Sequence, residues 1–263
     1  MREQEMRIPS RRSAPLLHVA ERRGEGPTVI LIHGVASSSV TFQNVIPLLE
    51  ADHLCVAIDL LGFGESPAPL DSDYTIDEHA AAIERTVRSL RLPTPFTIVG
   101  HSMGALFAAR LAARYPRVVD RVVMVSPPIY VNPTELSKQL DRLEMDLYLR
   151  AYAYVRANKD FTLRNAKVVE RFLAIPKAMD INETNWIPFT KSLENSIESQ
   201  TTISDLAAIR VPVEIVYGNL DEFSAQGVMK IVSRLTGVTT HQVRGSDHLI
   251  GKRLARAVAA AVG

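Results

Sequence analysis

Ser102, Asp221 and His248 are residue types that together can perform nucleophilic chemistry. A serine hydroxyl is a poor nucleophile until a base takes its proton, and that base works best when a buried carboxylate orients it. Ser102 stands at the centre of Gly100-His101-Ser102-Met103-Gly104, directly after the apolar run Phe96 to Val99 and directly before the Ala-rich stretch Ala105 to Tyr115. The five letters alone arise by chance in about one chain in ten of this length, so the flanks carry the argument. They describe a strand, a sharp turn and a helix, with small residues two before and two after the serine so that backbones can approach. Asp221 follows the apolar run Val211 to Tyr217 and the turn Gly218-Asn219, and His248 ends Gly245-Ser246-Asp247-His248. Glu222 and Asp247 compete with Asp221 as the orienting acid.

These residues need a scaffold that brings strand ends together. Thr28 to Ile32, Leu54 to Ile58, Phe96 to Val99, Val122 to Val125 and Val211 to Tyr217 are short, nearly continuous apolar runs. That is the pattern of strands buried on both faces of a parallel sheet. Helical patterns separate most of them: Thr75-Ile76-Asp77-Glu78 reads as a capping box opening a helix to about Leu90, and Pro116 ends the helix after Ser102. Leu16 to Arg22 is expected as an edge strand leading antiparallel into the first core strand. Val238 to Val243 reads as a weaker strand, and Leu249 to Val262 as a small-residue helix. Between Tyr130 and about Ser204 the strand pattern stops. Asn132-Pro133-Thr134-Glu135 opens a helix there, on which Leu136, Leu140, Leu143, Leu147, Ala151 and Tyr154 recur at helical spacing. A second helix is expected from Phe161 to Ala174, and a third carrying Phe189, Leu193 and Ile197.

Serine, acid and histidine in this chain order, on this alternation of strands and helices, closely resemble the α/β-hydrolase family, in the subgroup with a helical cap inserted after the sixth strand. His33-Gly34 looks like that family's oxyanion loop, and Asp59 to Ser66 looks like its Asp-x-x-Gly-x-Gly-x-Ser segment. The resemblance implies an α/β fold, a mostly parallel doubly wound sheet with an inserted all-helical cap. Its core domain would comprise 1–129 and 205–263, and its cap 130–204. It implies Ser102 as nucleophile, His248 as general base and then acid, and Asp221 as the residue that orients His248. The backbone N–H groups of Val35 and Met103 would form the oxyanion hole. Glu222 falls one residue late for the family pattern, and Asp247 is expected to serve the turn. No metal or organic cofactor is implied.

Haloalkane dehalogenases and epoxide hydrolases of this fold place aspartate where Ser102 stands, so acyl transfer is expected. Carbon–carbon bond hydrolases of the meta-cleavage type usually have Asn before the serine and Trp after the histidine, positions held here by His101 and Leu249. The expectation is therefore a carboxylesterase acting on a small-to-medium apolar ester. Carbon–carbon cleavage and a ligand-binding receptor with slow turnover are the alternatives. Tyr130, Tyr148, Tyr152, Trp186 and Phe189 are candidate pocket residues from the expected cap. His101 reads as packing, His33 as holding the oxyanion loop, and His18, His53, His79 and His241 as solvent-facing.

Thirty basic against 29 acidic residues in 263 leave a formal charge of +1, so no global field draws nucleic acid or acidic membranes. Cys55 is the one cysteine, which excludes an intrachain disulfide and is expected to be a buried thiol. The first fifteen residues lack the apolar core of a secretory signal, and no apolar run reaches the roughly 20 residues of a membrane span. A cytoplasmic monomer or homodimer with a small-molecule substrate is expected, with no nucleic-acid or membrane partner.

Overall fold

The computed structural model describes residues 14–130, 139–165, 181–221, 223–224 and 226–263, with 139–146, 148 and 226 described by backbone alone. Seven strands form one sheet: β1 (Val19–Arg23), β2 (Thr28–Ile32), β3 (Leu54–Ile58), β4 (Phe96–His101), β5 (Val119–Val125), β6 (Val213–Gly218) and β7 (Val238–Val243). Their order is β1-β3-β2-β4-β5-β6-β7, with β1 antiparallel and every other pairing parallel. The chain has an α/β-hydrolase fold.

The continuous apolar runs have a simple outcome in β2, whose five residues are all buried. Side chains alternate across a strand, so Ile30 and Ile32 enter one core while Val29 and Leu31 enter the other. The first core packs against α2 (Ile76–Ser89) and α3 (Met103–Arg114), the second against α1 (Ile46–Leu49) and α9 (Lys252–Val262). Cys55 lies in the second core on β3, and burial raises its thiol to about 11. The Thr75–Glu78 capping box is formed: Glu78 N donates to Thr75 Oγ1 (3.2 Å) and Thr75 N to Glu78 Oε2 (2.9 Å).

Two local expectations need correction. The edge strand β1 pairs with β3 rather than β2, because both edges of β2 are already taken by β3 and β4. α9 begins at Lys252 instead of Leu249, and Leu249 to Gly251 instead line the cavity described below.

Between β5 and β6, after the fifth of the described strands rather than the expected sixth, lie only helices among the described elements: α4 (Gln139–Ala157), α5 (Lys159–Arg164), α6 (Trp186–Ser192), a π-helical turn (Leu193–Glu198) and α7 (Thr202–Ala208); α8 (Gln226–Val232) follows β6. The helix start at Asn132–Glu135, Glu222 and the part of the expected second helix beyond residue 165 lie outside the described residues. The side chains of Leu136, Leu140, Leu143 and Tyr148 lie outside them too. On the described part of α4 the expected stripe is only partly inward, with Ala151 packed against the core. Leu147 and Tyr154 are exposed, whereas Tyr152 and Val155 are buried. The helical segment is fastened to the core along the loop before α2. Lys191 Nζ donates to Ser72 O (2.6 Å), Asn195 Nδ2 to Asp73 O (2.7 Å) and Ser196 Oγ to Tyr74 O (2.8 Å). α7 spans the expected boundary at 204/205 and joins α3 through the Asp205–Arg110 ion pair (3.1 Å). Among the described residues no helix is long and apolar enough to cross a membrane.

Candidate active site

Ser102 joins β4 to α3 with φ +53° and ψ −125°, a conformation that costs free energy in any residue but glycine. The surroundings hold it there: Ser102 N donates to Val125 O (2.9 Å), and its carbonyl accepts from Ala105 N (2.9 Å). The flanking glycines are required by close approach. A Cβ on Gly100 would lie 2.3 Å from Gly104 O, and one on Gly104 would lie 2.3 Å from His33 O and 2.4 Å from Ile32 O. Met103 is the first residue of α3, where a helix leaves backbone N–H groups without intrahelical partners.

The loop after β2 comes up beside this turn. A Cβ on Gly34 would meet Ser102 Cβ at 2.9 Å and Ser102 Oγ at 3.4 Å, so the Gly34-Val35 backbone borders the serine. His33 holds the loop from below: Leu60 N donates to Nε2 (2.9 Å), and Nδ1 then carries the proton it donates to Gly34 O (2.7 Å). Burial lowers His33 to about 4, so it is a neutral strut. Asp59, at the end of β3, lies beneath. Burial alone would raise its carboxyl, but His18 Nδ1 (3.0 Å) and the N–H groups of Glu65 and Ser39 (both 3.1 Å) hold it below its usual range.

Asp221 and His248 meet at the C-terminal ends of β6 and β7. His248 Nδ1 donates to Asp221 Oδ1 at 3.0 Å, and both residues are buried. The carboxylate also accepts from Phe223 N (Oδ1, 3.1 Å) and Ser224 Oγ (Oδ2, 2.9 Å). Burial would raise Asp221, but the charge and hydrogen bond of His248 outweigh it and bring the carboxyl to about 2. Asp221 is therefore an anion at neutral pH, leaving Nε2 of His248 as the ring nitrogen the carboxylate does not engage. Asp247 is exposed, and its Oδ1 accepts from Leu249 N (3.2 Å) as a turn residue does.

Ser102, His248, Gly34 and Val35 line one cavity of about 230 Å³, completed mainly by the segment Ser37–Asn44 and by Leu249 to Gly251. A buried neutral serine, an imidazole with one nitrogen fixed by a carboxylate, and backbone donors at a helix start are the components of acyl transfer. Among the described residues no cluster of His, Cys, Asp and Glu could hold a metal ion.

Over residues 27–251 the sequence matches the model of a family described as the alpha/beta hydrolase fold. The chain belongs to this family. Curated relatives of this α/β hydrolase include the probable lysophospholipases BODYGUARD 4 and BODYGUARD 1 of Arabidopsis thaliana. The first is 42% identical over 109 residues, 41% of this chain and 26% of the relative. The second is 40% identical over 111 residues, 40% of this chain and 24% of the relative. The match thus spans about a quarter of the length of these relatives. Among solved structures, E-2-(acetamidomethylene)succinate hydrolase superposes with a TM-score of 0.68 at 22% identity, covering 94% of this chain and 93% of that one. A putative lipase from Acinetobacter baumannii AYE superposes with a TM-score of 0.70 at 23% identity, covering 91% and 83%. At these identities the likeness is one of fold.

The histidines of this α/β hydrolase divide differently from the sequence expectation. His241 is exposed, but His79 is fully buried on α2, stacked on Phe107 with centroids 4.3 Å apart and 3.3 Å from Ser192 Oγ. The signal was available: position 79 lies three residues after Ile76 and four before Ile83, on the apolar face of α2. His101 donates Nε2–H to His248 O (2.9 Å), tying the loop that carries His248 to the turn that carries Ser102. Burial, and then the neighbouring His248, lower His101 to about 3.

Of the aromatic pocket candidates, Tyr130, Tyr152, Trp186 and Phe189 are not among the described residues that line the cavity. Trp186 and Phe189 pack on each other (5.9 Å). Tyr152 reaches the site at one remove, stacked on Phe223 (6.4 Å), whose ring meets His248 edge-on (4.8 Å); Tyr130 Oη donates to Tyr152 Oη (3.2 Å). Tyr148 falls outside the described side chains. Sequence reasoning missed Phe223 and Ser224. An Asp-x-x-Ser spacing after a strand, in which a hydroxyl folds back on the carboxylate, is the signal that marks Ser224.

Proposed function

We propose that this α/β hydrolase cleaves a small-to-medium carboxylic ester, largely apolar, through an acyl-enzyme on Ser102. The observation that carries the reading is the 3.0 Å contact of His248 Nδ1 with a buried Asp221 carboxylate, beneath a cavity that His248 and Ser102 both line. His248 takes the hydroxyl proton as Ser102 attacks the carbonyl carbon, and returns it to the leaving alkoxide. Asp221 stabilises the imidazolium formed between these steps. The N–H groups of Val35 and Met103 receive the carbonyl oxygen as its negative charge develops, where one such donor is typically worth about 3–4 kcal/mol. Water then repeats the sequence on the acyl group, releasing the acid. In this reading the helices between β5 and β6 serve as a cap. Ester cleavage is favoured over carbon–carbon cleavage because His101, at the position where that chemistry uses Asn, spends Nε2 on His248 O and has its Nδ1 buried.

A fluorophosphonate probe should label Ser102 alone, and Ser102→Ala should abolish both labelling and hydrolysis of short p-nitrophenyl esters while thermal unfolding is retained. Labelling of the folded wild type at another serine would remove Ser102 from this role.

A further inference from the structure

The wall of the cavity beside Gly34 and Val35 is polar in a specific way. Ser37 and Thr41 both line it, Ser37 is buried, and their hydroxyls lie 2.8 Å apart. One hydroxyl hydrogen is used between the two oxygens. The other hydrogen and the remaining lone pairs have no protein partner among the described residues, so the pair is left with both a donor and acceptors. The wall is also held in place. Ser39 N donates to Asp59 Oδ1 (3.1 Å), Phe42 is fully buried, and Asn44 Nδ2 donates to Ile250 O (3.0 Å). Leu249 and Ile250, which line the same cavity, are apolar. Among the described lining residues there is no Lys, Arg, Asp or Glu, so the group this wall reads is uncharged.

We propose that Ser37 and Thr41 form a hydroxyl-reading subsite, and that the preferred substrate is a short ester carrying a free aliphatic hydroxyl close to the scissile bond. The inference rests on the ester-hydrolase reading above and narrows it. A hydroxyl both donates and accepts, matching what the pair leaves open, while the hydrocarbon part lies against Leu249 and Ile250. An analogue without the hydroxyl displaces water from a half-buried polar pair without replacing its hydrogen bonds, and sites built to bind a hydroxyl discriminate against such analogues. The cavity is below the roughly 300–1,000 Å³ of sites for drug-sized ligands, which fits a short chain.

The hydroxyl could belong to the acyl part or to the alcohol, and two ester pairs separate these. Hydrolysis followed by titration of released acid compares methyl 3-hydroxybutanoate with methyl butanoate, and glyceryl 1-monobutanoate with propyl butanoate. In at least one pair kcat/KM should favour the hydroxylated ester by about tenfold or more. That ratio should fall to within about threefold of unity in both Ser37→Ala and Thr41→Val, and persist in Thr41→Ser, which keeps the hydroxyl. Wild-type ratios near unity in both pairs, or a high ratio that survives both substitutions, would overturn the subsite while leaving the hydrolase reading intact. Failure of all four esters together with failure of fluorophosphonate labelling at Ser102 would overturn both.

Discussion

At the residue scale the site depends on one carboxylate whose position is over-determined. Asp221 accepts from His248, Phe223 N and Ser224, so replacing it by Asn, which has the same size, leaves the packing but removes the anion and presents a donor where an acceptor is needed. Asp221→Asn should lower kcat for ester hydrolysis by about 10⁴, the scale seen when such a histidine is held in the wrong tautomer. Asp247→Asn, at an exposed turn, should change kcat little. Steady-state kinetics on one ester for both variants checks this, and comparable losses would shift the acid role away from Asp221. Ser102, Asp221 and His248 were legible because each follows an apolar run at a turn. The partners that tune them were not. Phe223 and Ser224 belong to the same turn as Asp221, but what they touch depends on the backbone path, which residue types do not encode. His79 departs from the solvent-facing expectation because its place on the apolar face of α2, between Ile76 and Ile83, outweighs the polarity of its ring.

Among elements, the strand-turn-helix at Ser102 is the most constrained by its neighbours. Gly104 is pressed against the carbonyls of Ile32 and His33, so a methyl group there must push apart β2 and α3 or displace the loop that brings Val35 beside Ser102. Gly104→Ala should cost about 1–3 kcal/mol of stability, and slow fluorophosphonate labelling as well. Gly251→Ala has open space around the added atom and should stay within about 0.5 kcal/mol. Thermal unfolding and labelling rates of the two variants test the contrast. The ranges of β2, β3 and β7 coincide with those read from sequence, because continuous apolar runs bounded by turns leave little choice of ends. α4 was legible as a helix but not in its facing. Its apolar residues are dense enough to fill adjacent stripes, and among the described side chains packing buries Tyr152 and Val155 with Ala151 beside them, leaving Leu147 and Tyr154 exposed.

For the whole molecule, sequence indicated the class of sheet but not every pairing: β1 lies against β3, because β2 is paired on both edges and β3 has one edge free. A second global property is acid sensitivity. Burial holds His33 at about 4 and His79 and His101 at about 3, against about 6.5 in an unfolded chain. As pH falls below 6.5 the unfolded chain takes up these protons while the folded chain does not, so stability is lost from there down to the folded values. Glu198 and Asp205, raised by burial, offset part of this because the fold holds their protons more tightly. Asp221 and Asp59, both lowered, add to the loss at more acid pH. Urea unfolding between pH 7 and pH 5 should show net proton uptake, and His79→Phe should reduce it by about one proton. An unchanged slope would mean that His79 titrates normally in the fold. The solitary thiol of Cys55 has a different use. It sits fully buried between β1 and β2, with its ionisation suppressed to about 11, so the native protein offers an alkylating reagent almost no thiolate to attack. Only molecules in which the layer of α1 and α9 has lifted from this face of the sheet expose it. The rate at which iodoacetamide consumes this sulfur therefore measures how often the helices on that face separate from the sheet, a clock for opening events that the chain carries without any added probe.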